Sequence, residues 1–268
     1  MKRFLPIIAL ALGACQEQPA GEPVVRTEIG KGSEEMAAAR SALSPCQPVT
    51  FEGMLFTHCV ADSKKHQIKM VLQDDGGQPY RSLRAYGEDL GLDALEVAFV
   101  MNGGMYDGDG KPIGYYVENR ERLKELNRNE GLGNFHLMPN GVFFGSDGNW
   151  QVLSTETFFA NISDRPVFGT QSGPMLVIDG ELHPEIAEDG PSKAIRNAVG
   201  VDADGKAHFV IAEVPISFGV MARFFRDDLN TPNALFLDGN VSALWDPAAE
   251  RLDTSPPLGP LIVVTNKE

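Results

Sequence analysis

Short apolar runs closed by turn residues recur along this chain, a pattern that predicts strands more often than helices. Gln67 to Leu72 alternates weakly and stops at Asp74-Asp75-Gly76-Gly77, a strand with its turn. Leu83, Tyr86 and Leu90 recur near helical spacing, so Tyr80 to Leu92 reads as a helix. Glu96 to Met101 reads as a buried strand, and it empties into Asn102-Gly103-Gly104-Met105-Tyr106. Asn140-Gly141, between the apolar runs of Phe135 to Phe144, is a hairpin signal. Val167 to Gly180 places Gln171 and Ser172 on a bend, then a strand and an Asp179-Gly180 turn. Ile195 to Val201 puts Arg196 and Asn197 at the mouth of a strand, and His208 to Ile211 is another, ending near Glu213. Ser217 caps a helix whose Phe218, Met221, Ala222, Phe225 and Leu229 share one apolar face. Ala234 to Leu237 is a buried strand with Asp238 at its carboxyl end, followed by Gly239-Asn240-Val241-Ser242. Leu261 to Thr265 completes the sheet.

The N-terminus has a different texture. Lys2 and Arg3 precede an apolar stretch from Phe4 to Leu12, and Leu12-Gly13-Ala14-Cys15 resembles the bacterial lipobox. Residues 1–14 are therefore expected to be a signal peptide and Cys15 the lipidated residue, holding the protein to a bacterial membrane in the cell envelope. Gln16 to about Ser33 is rich in Pro, Gly and Glu and reads as a tether within residues 15–45, leaving 46–268 as the folded domain.

Composition narrows the chemistry. With 43% hydrophobic and 22% charged residues the chain is globular, and its net charge of -14 argues against a nucleic-acid partner. Of three cysteines, Cys46 and Cys59 remain after Cys15, and an oxidising setting favours a disulfide between them. No histidine has a partner at metal-ligand spacing, so no metal site is read and no cofactor is required, although acidic strand ends leave a divalent cation possible. Asp107 and Asp109 lack the distal glutamate of a calcium loop and read as a surface turn. Ser172 lies outside any Gly-x-Ser-x-Gly elbow and is not read as a nucleophile. Arg196 is a surface cation or a planar fork for carboxylate or phosphate; its local sequence allows both.

Taken in order, Asn102-Gly103-Gly104-Met105-Tyr106, Ser172-Gly173 with Asp179-Gly180, Arg196-Asn197-Ala198-Val199-Gly200 and Leu237-Asp238-Gly239 with Ser242 resemble the phosphodiester glycosidase family over roughly Cys46 to Thr265. The resemblance implies a single mixed α/β domain (α+β), a large mixed sheet flanked by helices, with polar strand ends gathered into one cleft. It implies a hydrolase cleaving a sugar C1–O–phosphate bond in a carbohydrate phosphodiester. Asp238 would be nucleophile or general base and Arg196 the phosphate clamp, with Asn102, Gly103, Gln171, Ser172, Asn197, Gly239 and Ser242 contacting substrate. Asn240 and Val241 stand where the family often carries glycine, and Asn197 where the mammalian enzyme has threonine, so the mammalian substrate does not transfer. Glu213 is a candidate second carboxylate or a solvated strand end. The competing expectation is a glycan-binding or structural envelope lipoprotein without turnover.

Overall fold

The computed structural model describes residues 43–238 and 241–267. The signal peptide, Cys15 and most of the tether lie outside the described residues, as do Gly239 and Asn240. Helices and strands mix in one domain, but the strands divide among three sheets in which every pairing is antiparallel. A single large mixed sheet is therefore replaced by three smaller antiparallel ones. Short hairpins such as Cys46–Phe51 with Met54–Ala61 and Gly141–Ser146 with Asn149–Ser154 pair their strands antiparallel of necessity, and the long-range pairings that join the hairpins follow the same sense.

The seven-stranded sheet runs, edge to edge, Cys46–Phe51, Met54–Ala61, Ala207–Ala212, Asn197–Val201, Asn233–Asp238, Met175–Ile178, Glu181–Leu182. One five-stranded sheet has Val97–Asn102 at its centre, between Leu244–Asp246 and Leu261–Asn266. The other is built on Gly141–Ser146 paired with Phe168–Ser172 and Asn149–Ser154. One core joins all three. Phe209 and Leu235 come from the first sheet, Met70, Phe99 and Ile262 from the second, Tyr116, Phe143 and Phe168 from the third. The other face of the seven-stranded sheet is covered by the helix Phe218–Arg223 and the π-helical turn Phe224–Asp228, through Met221, Phe224, Phe225 and Phe236. Strands covered on both faces need no polar alternation, which is why Val97–Asn102 and Ala207–Ala212 are buried at every position.

Capping and turn chemistry fix the element ends. Ser217 accepts a hydrogen bond from the Val220 N–H and Ser82 from the Ala85 N–H, starting the helices Phe218–Arg223 and Leu83–Leu90. Asp179 and Gly180, both at positive φ, make the turn expected of them. Asn140-Gly141 does not. Asn140 is fully buried, bonded to the Phe135 carbonyl and the Thr155 hydroxyl, and Gly141 opens a strand. The hairpin lies instead at Asp147-Gly148, whose positive φ values join Gly141–Ser146 to Asn149–Ser154. Cys46 and Cys59 face each other in register on the first hairpin and form the disulfide.

On the helix-covered face His58 Nε2 lies 2.9 Å from His208 Nδ1, and His208 Nε2 lies 3.0 Å from Asp202 Oδ2. Burial first, and then His208, push His58 down to about 4. The unfolded chain takes up that proton near pH 6.5 whereas the folded chain refuses it until about 4. Stability from this residue is therefore complete above pH 6.5 and lost as pH falls towards 4, by about 2–3 kcal/mol. Urea midpoints across that window are expected to fall more steeply for the wild type than for His58→Gln; parallel slopes would contradict the assignment.

Candidate active site

Asp238 ends the central strand Asn233–Asp238, and the sheet register makes it the partner of Asn197. Between Asn197–Asp238 and the next pair, Ala198–Phe236, the register shifts, so Leu237 is an extra residue. A bulge of this kind breaks the simple alternation of side chains and re-aims the residue beside it. Asp238 is 6% exposed, and its backbone N–H donates to Asn197 Oδ1 at 3.0 Å.

Asn197 is the hub. Its Nδ2 donates to Asn102 Oδ1 at 3.0 Å and lies 3.1 Å from the Asn102 carbonyl. Asn102 in turn donates to the Val241 carbonyl and accepts from the Ala243 N–H. Two amides at the ends of strands from different sheets thus hold each other and both sides of the loop that follows Asp238. Ser242 Oγ sits 3.0 Å from the Asp238 carbonyl and 3.2 Å from that of Ile195, closing the same ring. Ser172 donates its hydroxyl to the Leu237 carbonyl, which steadies the bulge.

Arg196 adjoins Asn197 and is 2% exposed. Its Nε donates to the Ile216 carbonyl, its Nη2 to the Ser192 carbonyl and hydroxyl, and its guanidinium lies 3.6 Å from the centre of the Phe218 ring. Among the described residues no carboxylate pairs with it, and Nη1 makes no hydrogen bond. Burial lowers it to about 10, which leaves it charged at neutral pH. Of its two readings in the sequence, a surface cation is excluded by this burial.

The remaining expected residues divide. Asp238, Asn197, Asn102, Ser172 and Ser242 are joined by hydrogen bonds, Arg196 adjoins them through the backbone of Asn197 with its guanidinium against Ile216, Ser192 and Phe218, and Gly239 lies outside the described residues. Gln171 is close, but its bonding capacity is filled: Oε1 accepts from Tyr115 and Asn127 N–H groups, and Nε2 donates to the Asn127 carbonyl and Thr155 hydroxyl. It rivets the segment from Tyr115 to Asn127 and is placed to position rather than to touch substrate. The Gly103 N–H is bonded to the Pro260 carbonyl at 2.7 Å. At Gly104 a β-carbon would lie 2.4 Å from the Gln171 carbonyl, so this pair of glycines serves close backbone packing. Glu213 accepts from Thr57 and pairs with Arg251, an internal ion pair and neither of the roles considered for it.

In the sequence Tyr106 stands out only as part of the Asn102–Tyr106 motif, and Arg81 carries no signal. The Tyr106 hydroxyl donates to the Pro257 carbonyl, and its pKa is raised by burial and then by the charge of Asp238, with Arg81 opposing. Tyr106 therefore stands within electrostatic reach of both the Asp238 carboxylate and the Arg81 guanidinium. Among the described residues no group of three or more His, Cys, Asp or Glu side chains is arranged for a metal ion. A surface hollow of about 330 Å³ lined by His66, Trp150, Phe168 and Lys267 takes no residue from these polar strand ends.

A family model described as phosphodiester glycosidase matches residues 96–251, the stretch that runs from the Asn102 strand past Asp238. The chain belongs to the phosphodiester glycosidase family. This membership places it among glycosidase-type hydrolases. The uncharacterized protein YigE of Escherichia coli (strain K12) is 33% identical over 179 residues, 67% of this chain and 69% of that protein. In three dimensions the chain is similar to the catalytic domain of zebrafish N-acetylglucosamine-1-phosphodiester alpha-N-acetylglucosaminidase, a structure auto-inhibited by its pro-peptide. The TM-score is 0.57 at 15% identity, covering 83% of this chain and 82% of that one. A hypothetical protein from Synechocystis shares the fold at a TM-score of 0.51 and 13% identity, over 83% of this chain and 61% of that one.

Because Asn197 joins three partners in a water-excluded place, its loss leaves the Asp238 N–H and both Asn102 oxygens short of a partner. Asn197→Ala is expected to lower stability by about 2–4 kcal/mol, read as a shift in denaturant midpoint. A change within about 0.5 kcal/mol, the range of surface substitutions, would show that the hub adds no rigidity.

Proposed function

We propose that this phosphodiester glycosidase hydrolyses a sugar C1–O–phosphate bond in a glycan phosphodiester of the cell envelope or its surroundings. The observation that carries the reading is Arg196: a buried guanidinium with an open Nη1, no carboxylate partner among the described residues, and a place beside the residue that pairs with Asp238. A cation held this way is matched to an anion that arrives with the substrate.

The chemistry follows from the bond. As C1–O breaks, the electron pair leaves on a phosphate oxygen, and the departing phosphate is already a stable anion that needs little help from a general acid. Arg196 stabilises the charge growing on that oxygen. Positive charge developing at C1 is balanced by Asp238. The oxygen of water ends on C1 by one of two routes: Asp238 takes the proton of the attacking water, or Asp238 first bonds C1 and water then displaces it. The stereochemistry of the released sugar separates them, inversion for the first and retention for the second. Asn102, Asn197 and Ser242 hold the strand ends so that neither charged group needs to move.

On a sugar-1-phosphodiester such as UDP-N-acetylglucosamine, Asp238→Asn is expected to reduce turnover about 10³-fold, and Arg196→Gln about 10²- to 10³-fold. Wild-type turnover should also decline as pH rises through about 10, where Arg196 loses its proton. Unchanged turnover in both folded variants would remove these roles. For the envelope location, Cys15→Ser is expected to move the protein from the membrane pellet to the soluble fraction; continued pelleting would argue for a different anchor.

A further inference from the structure

Arg81 is built unusually for a residue with no assigned task. Its backbone sits at φ 58, a left-handed conformation disfavoured for a long side chain, immediately before the capping residue Ser82. The carbonyl is tied to the Leu258 N–H at 2.8 Å. The guanidinium lies over the Tyr106 ring, 5.3 Å from its centre. Nη1 is buried without any hydrogen-bond partner, pressed against Gly110, where a β-carbon would come within 1.8 Å of it. Among the described residues no carboxylate pairs with Arg81 and none of its nitrogens donates a hydrogen bond. Buried donors without partners are rare and call for a reason.

Its surroundings connect it to the site already described. Tyr106 donates to Pro257, Arg81 holds Leu258, and Gly103 donates to Pro260, so Pro257 to Pro260 laces Arg81 and the Asn102–Tyr106 loop into one wall. Asn102, at the start of that loop, is bonded to Asn197, the partner of Asp238. Arg81 therefore adjoins the polar strand ends around Asp238 by way of Tyr106 and the Asn102–Tyr106 loop, while Arg196 precedes Asn197 on the neighbouring strand.

We propose that Arg81 forms a second anion subsite in the Asp238 cleft, so that the preferred substrate carries two negative groups, as in a sugar joined through a diphosphate. This rests on the reading of the cleft as a sugar-phosphate site and narrows it. Arg196 takes the phosphate on the anomeric oxygen; Arg81 takes the next anionic group outward. A lone phosphodiester would leave Arg81 unmatched.

Binding of inorganic phosphate and inorganic pyrophosphate, measured by calorimetry at neutral pH and fixed ionic strength, tests the subsite without requiring turnover. The wild type is expected to bind pyrophosphate at least about tenfold more tightly than phosphate, since a charge-assisted bond adds about that factor. Arg81→Gln should remove most of this ratio, Arg81→Lys should restore part of it, and Arg196→Gln should weaken both anions. Because the Arg81 side chain makes no hydrogen bond, its variants should keep the wild-type melting temperature, which separates lost binding from lost folding. An equal affinity for the two anions in the wild type, or a ratio unchanged by Arg81→Gln, overturns the proposal. If the ratio behaves as expected but no sugar phosphodiester is cleaved, the hydrolase reading fails and the subsite stands.

Discussion

The site depends on a pair of amides. Asn102 and Asn197 end strands of two different sheets, and among the described residues their buried donors and acceptors are satisfied by each other, the backbone around them and the Ser242 hydroxyl. A buried amide left half-bonded is destabilising by more than a bonded one stabilises, so the geometry is effectively two-valued: both sheets seated, or neither. Through this clasp the Asp238 bulge, the Val241–Ala243 segment and the Asn102–Tyr106 loop are all referred to one fixed point. A hydrolase needs such a fixed point, because small displacements of reacting groups are expensive in rate.

Around that clasp the electrostatics run against the protein as a whole. The chain is strongly acidic, which repels anions at a distance. Arg196 nevertheless sits nearly out of water, and its partners among the described residues are carbonyls, a hydroxyl and the rings of Phe218 and Phe236. Those neutral partners hold the guanidinium in place without quenching its charge, whereas a carboxylate would have done both.

How far the sequence foretold this can be judged residue by residue. Asp238 at a strand end, the Cys46–Cys59 staple and the Ser217 cap were all legible, because each rests on local pattern: an apolar run, a cysteine count, a hydroxyl before an apolar face. Asn140 misled for the same reason, since a dipeptide that turns so readily in isolation was recruited as a buried hydrogen-bonding residue by Phe135 and Thr155. Gln171 was placed near the site, yet its four internal bonds come from residues 16 to 56 positions away and no local pattern reports them. Arg81 was invisible. Its meaning lies in what it fails to contact, and sequence does not display missing partners. The division into three antiparallel sheets escaped as well, because a strand covered on both faces looks the same in either kind of sheet.

The strand Leu261–Asn266 is central in its sheet, between Val97–Asn102 and His66–Val71, although it is made after every other strand described here. Until it is in place, Val97–Asn102 lacks a neighbour along most of its length and Gly103 has no carbonyl to hold it. A chain in which that strand has not docked contains Asp238, Arg196 and both asparagines but lacks a seated Asn102. The last strand described thus decides when the Asn102–Asn197 clasp can close: a product that stops short of residues 261–266 contains both asparagines and no seat for one of them.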